Sequence, residues 1–167
     1  MKKISKFLLV LVVALLLVGC EKEEGKESGN TVAKAFNKTV AKENIGKLKF
    51  NDSEFTFSED KNFDNSDAIK VYGVDTGLMD ESLYYLASDV VDPSMFIVAK
   101  VSDDNKAVFK YQIKDMFEKY YNAYNNYYPK EAKMINDRLE KEYEGYLIYV
   151  VSYDNNSVYQ AIVDSFK

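Results

Sequence analysis

MFIVAKVSDDNKAVFKYQIKDMFEKYYNAYNNYYP, residues 95–129, changes its apolar rhythm in mid-course. Residues 95–101 are rich in β-forming side chains and read as a strand. After Ser102-Asp103-Asp104-Asn105, read as a strand-to-helix turn, the spacing predicts a long helix over 106–127. Phe109, Ile113, Met116, Tyr120, Tyr124 and Tyr127 recur at steps of four, three, four, four and three, one continuous apolar stripe. The stripe assigns Tyr120, Tyr124 and Tyr127 to the core.

Upstream, residues 83–91 are a second β-rich run, separated from the first by Asp92-Pro93-Ser94, and the two read as an antiparallel pair. Residues 67–72 suit a short helix that Gly73 ends. Leu48, Phe50, Phe55 and Phe57 alternate across Asn51-Asp52-Ser53 as a weak hairpin would. Val32, Ala35, Phe36 and Val40 suit a helix capped by Asn30 or Thr31, with Gly46 just past its end.

Downstream, Pro129 fits the first position of a new helix, whose buried face would be Ala132, Ile135 and Leu139. Residues 146–152 follow Gly145 as a nearly continuous apolar run, the pattern of a central strand covered on both faces. Asn155, Asn156 and Ser157 offer caps for a last helix that packs Tyr159, Ile162, Val163 and Phe166 inward. The order predicts an α+β domain. Its small, mainly antiparallel sheet has about three strands plus the weak hairpin, with helices against one face.

The chain has 167 residues, 47 % of them hydrophobic, with one cysteine and no histidine. That composition excludes a disordered chain, a collagen-like repeat and a disulfide scaffold. The missing histidine removes the commonest metal ligand and the commonest general base near neutral pH. Arg138 is the only arginine, and basic residues number 22 against 27 acidic ones. An acidic chain with one planar fork is unsuited to nucleic acid, and equally to anionic lipid through a basic patch.

Lys2, Lys3 and Lys6 precede twelve uninterrupted apolar residues, 7–18, followed by Gly19 and Cys20. These are the parts of a secretory signal, too short to span about 30 Å of hydrocarbon. Leu17-Val18-Gly19-Cys20 resembles the bacterial lipobox. The resemblance implies cleavage before Cys20, a diacylglycerol on its sulfur, and attachment to the cell membrane on the extracytoplasmic face. Residues 1–19 are then a lipoprotein signal peptide, 20–30 the lipidated cysteine with a flexible polar tether, and 31–167 a single domain. Losing residues 1–19 removes three lysines and no acid, which moves the net charge from −5 to −8.

Tyr72-Gly73-Val74-Asp75, the strand Phe96-Ile97-Val98-Ala99-Lys100-Val101 with Ser102-Asp103 at its end, Tyr128-Pro129 closing the long helix, and Gly145-Tyr146 opening Leu147-Ile148-Tyr149-Val150-Val151-Ser152 form a pattern over roughly the last 100 residues. It resembles a family of small lipoproteins from Gram-positive bacteria, defined as a domain of unknown function. The resemblance implies no catalytic or binding residue.

Without histidine, a nucleophilic serine would need lysine as its base, with Lys100, Lys106 and Lys110 among the candidates. Paired carboxylates would suit glycoside chemistry, and Glu140, Glu142 and Glu144 share a side only if extended; the expectation is a helix end. Asp60-Lys61-Asn62-Phe63-Asp64 begins like a calcium loop, but Asn65 stands where glycine is needed and Val71 where a bidentate glutamate belongs. Asp154-Asn155-Asn156 reads as a helix cap. No catalytic residue, metal site or cofactor is expected.

The tyrosines are the most distinctive group. Tyr121 and Tyr128 lie off the stripe and are the candidates for an exposed ligand-binding surface. The leading expectation is a non-enzymatic, lipid-anchored domain that binds an envelope protein or cell-wall component. A glycan- or small-molecule-binding lipoprotein using those tyrosines is the alternative, and a histidine-free hydrolase the third reading.

Overall fold

Two strands with almost no polar side chain set the centre of the molecule, and everything else covers them. The computed structural model describes residues 33–48, 63–87 and 91–167, and Lys34–Lys167 pack as one unit. In chain order the elements are α1 (Lys38–Gly46), α2 (Ser66–Lys70), a 3-10 turn (Thr76–Leu78), β1 (Glu81–Leu86), β2 (Met95–Lys100), α3 (Asp103–Asn125), α4 (Pro129–Asn136), β3 (Leu139–Tyr143), β4 (Tyr146–Val151) and α5 (Asn155–Val163).

The fold is α+β, and its sheet is antiparallel throughout, in the order β1-β2-β4-β3. The described residues thus supply four strands, one more than the sequence suggests. The extra strand is β3, whose LEKEY segment is mostly exposed and carries no apolar run. Leu139 opens it and does not belong to α4. Glu144 and Gly145 turn β3 into β4 with φ of +48° and +79°. Two successive positive values mark the two-residue turn that suits the twist of a hairpin, and glycine takes the second without steric cost.

Side chains on a strand alternate between faces, so each face collects its own core. One face gathers Tyr84, Met95, Ile97, Ala99, Leu147, Tyr149 and Val151 under Phe109, Ile113, Met116, Phe117, Tyr120 and Tyr124 of α3 and Ala132 and Ile135 of α4. The other gathers Leu83, Tyr85, Phe96, Val98, Tyr146, Ile148 and Val150 beneath α1 and α5. Helices therefore cover both faces, not one. The continuous apolar run of β4, buried along its whole length, reflects this.

The helix ends follow local chemistry. The first helix is shorter than its sequence pattern: Asn37, not Asn30 or Thr31, is its cap, and the Asn37 side chain accepts from the Val40 amide. Phe36 instead pairs in a bridge with Phe166, which ties the segment before α1 to the end of the chain. Asp103 and Asp104 belong to the first turn of α3, where a helix dipole favours carboxylates. Asp154, the first residue of the Asp154-Asn155-Asn156 cap segment, caps α5 by accepting from the Ser157 amide. In that last helix Val158 and Ala161 join Ile162 and Phe166 in the core, while Tyr159 packs at its margin. Beyond α2, Gly73 with φ of +93° lets the Val74 amide reach back to the Ile69 carbonyl at 3.3 Å.

Tyr127 corrects the stripe. The helix ends at Asn125, so Tyr127 leaves the helical spacing and is 79 % exposed. The signal peptide, Cys20, the tether, Val32, the hairpin positions Phe50, Phe55 and Phe57, and Asp60-Lys61-Asn62 lie outside the described residues.

Candidate functional site

Helix α3 lies over the middle of the sheet, and no residue of β3 joins the core beneath it. Beside α3, this uncovered face of β3 leaves a cleft of about 470 Å³, lined by Lys110, Ile113 and Lys114 of α3, by Arg138, Glu140, Lys141 and Glu142, and by Leu147 and Tyr149 of β4. Leu147 and Ile113 give it an apolar floor. Its rim carries the charged side chains of Lys110, Lys114 and Arg138 against those of Glu140 and Glu142, a local excess of positive charge on an acidic chain; the Lys141 side chain, opposite Ile148, belongs to the other face of β3. A cleft of one sign with low-dielectric walls concentrates ions of the other.

Alternation on an extended strand explains the carboxylates. Glu140 and Glu142 sit two apart on β3 opposite Tyr149 and Leu147, so both belong to the cleft face. The expectation that they line a helix end is wrong, and Glu144 falls in the turn. Glu142 accepts from the Lys106 ammonium at 2.7 Å. That bond holds the Glu142 carboxyl below its ordinary range and the Lys106 ammonium above its own. A glycosidase acid must hold its proton near neutrality, and Glu142 is set the opposite way. Burial, with Glu140 adding to it, pushes the Tyr149 hydroxyl up to about 12, so it stays a neutral donor at physiological pH.

Arg138 is the centre of the site. Its Nη1 donates to the Ile135 carbonyl at the end of α4 (3.3 Å), and its guanidinium covers the Phe117 ring at 4.4 Å. Its Nη2 meets Glu140 Oε1 at 2.6 Å. Its Nε is buried and has no hydrogen-bond partner. A cation over a ring and a cation at a helix end each contribute about 1 kcal/mol. An unsatisfied buried donor costs about 1–3 kcal/mol in return. The two sides nearly cancel, so stability alone gives little reason for an arginine here. Arg138→Met, which keeps the packing on Phe117, is expected to change the unfolding free energy by no more than about 1 kcal/mol. Urea titration checks this, and a loss of about 3 kcal/mol or more would make Arg138 a structural staple.

The other lysines weighed for catalysis are dispersed. Lys100 lies over the Tyr146 ring at 5.6 Å, Lys106 holds Glu142, and Lys110 lines a cleft to which no serine, threonine or cysteine contributes. Ser152 instead bonds to Asn155 in a second hollow of about 370 Å³ with Met134, Asp137, Tyr153, Asp154 and Asn156. Among the described residues no group of three or more acidic, histidine or cysteine side chains could hold a metal ion. Asp64, the last residue of the calcium-like stretch, pairs with Lys42 at 3.2 Å.

Tyr121 and Tyr128 are half-buried and packed against the core under α3. Tyr128 also meets the Tyr124 ring, with centroids 5.9 Å apart. The more exposed aromatic surface belongs to Tyr127 and Tyr111. Sequence reasoning used Arg138 only as evidence against nucleic acid. Its position between a helix and the alternating Glu140-Lys141-Glu142 was the available signal.

No family model, curated protein or solved structure matches this chain.

Proposed function

We propose that this chain is a lipid-anchored, extracytoplasmic binding domain, held to the cell membrane through Cys20 and meeting an envelope protein or cell-wall component through the cleft beside α3. The observation that carries the binding site is the surplus of cations in a cleft of about 470 Å³ on a chain of net charge −5. Its size suits a small ligand or one protruding group of a larger partner. The residues present bind and orient; the lining offers no serine, threonine or cysteine, and Glu142 is held ionised. The resemblance of the sequence to small Gram-positive lipoproteins fits the same reading.

Reversing Lys110 and Lys114 to glutamate in the full chain tests the cleft. Pull-downs from crosslinked envelopes, compared between wild type and the double variant, are expected to lose their main product in the variant while the melting temperature stays within a few degrees. Identical products from both proteins would remove the cleft from the reading. These lysines suit such a test because, among the described residues, Lys110 has no carboxylate within ion-pair distance and Lys114 reaches only Glu118, at 3.8 Å on the exposed side of α3.

A further inference from the structure

We propose that the cleft is a carboxylate-binding site in which Glu140 occupies the place of the ligand; this rests on the cleft being the contact site. The guanidinium presents Nε and Nη2 side by side, a spacing that matches the two oxygens of one carboxylate. In Arg138 only half of that fork is used. Glu140 Oε1 takes Nη2 at 2.6 Å, while Nε stays buried and unpartnered. An external carboxylate that takes both N–H groups satisfies the orphan donor, which Glu140 does not.

Displacing Glu140 is undemanding, because its side chain is already 48 % exposed and returns to water. The Arg138 guanidinium stays in place meanwhile, fixed by Phe117 and the Ile135 carbonyl. A bound carboxylate would have Leu147 and Ile113 beneath its carbon chain, and Lys110 and Lys114 around the far end. The ligand class is thus a small organic acid with an apolar stem, best with a second carboxylate for the lysine rim. Phosphate fits less well, since it has no apolar stem to lie over Leu147 and Ile113.

A single arginine makes the test direct, because the Nε–H signal of Arg138 is the one arginine side-chain signal in the nitrogen-15 spectrum. The full chain, in detergent where the lipid requires it, is titrated at low salt with glutarate and separately with inorganic phosphate. The Arg138 Nε–H signal is expected to move saturably with glutarate. Glu140→Gln should bind about threefold or more tightly, with the internal competitor weakened, and Arg138→Lys about tenfold or more weakly, with the fork gone. Saturation by phosphate and not by glutarate overturns the carboxylate class and leaves the cleft standing. Saturable shifts at the Ile113 and Leu147 amides with Nε–H unmoved overturn the exchange with Glu140. Silence at Arg138 and at those amides with both probes overturns the small-anion site, while the envelope comparison with the lysine variant still decides the cleft.

Discussion

Phe109→Ala is expected to lower the unfolding free energy by about 3–5 kcal/mol. Phe109 is fully buried in α3, within the core cluster that joins this helix to β2 and β4. Removing the ring loses its transfer energy and leaves a cavity, because a close-packed interior relaxes only partly. A domain of this size is stable by roughly 5–15 kcal/mol, so the change removes a third or more of the total. Tyr127→Ala is the matched control. It continues the same sequence stripe, yet Tyr127 is 79 % exposed, and its removal should fall within about 0.5 kcal/mol of wild type. Urea unfolding of both variants, with unchanged slopes, checks the pair. Equal costs at the two positions would mean that the stripe, and not the end of α3 at Asn125, decides what is buried.

The contrast between those two residues shows how far periodicity reaches. A step of three or four places residues on one face only while the helix lasts, and nothing in the spacing of Tyr124 and Tyr127 marks the end at Asn125. The strands were legible where both faces are buried: β2 and β4 read as apolar runs, and β4 as central. Strand β3 was not, because an edge strand with a charged outer face has the composition of a helix end or a loop. Leu139 made the confusion worse by completing the 132, 135, 139 spacing of α4 before turning to the opposite core. The cover on both faces was implicit in β4 alone, since a strand wholly buried needs a layer on either side. The cleft was the least legible feature. Arg138, Glu140 and Lys110 meet only because α3 leaves one strand uncovered, and a gap between elements far apart in the chain has no local signature.

Cys20→Ala is expected to abolish stable attachment of the mature protein to membranes. Each buried methylene contributes about 0.8 kcal/mol, and one acyl chain binds a bilayer with a constant of only about 10⁴ M⁻¹. In the anchoring we propose, two chains on one diacylglycerol make the attachment stable, so removing the thiol would remove both together. A cationic second signal would need a basic segment, but the proposed cleavage before Cys20 would take three lysines away and leave −8. No described helix is long and apolar enough to cross a membrane. The variant should therefore appear either as a soluble product or as a larger precursor that keeps residues 1–19 and their apolar run, and in neither form should it incorporate labelled palmitate. Fractionation with immunoblotting and palmitate labelling separates these forms. A mature-sized Cys20→Ala product that stays in the membrane fraction would show that something other than a lipid on Cys20 holds the domain there.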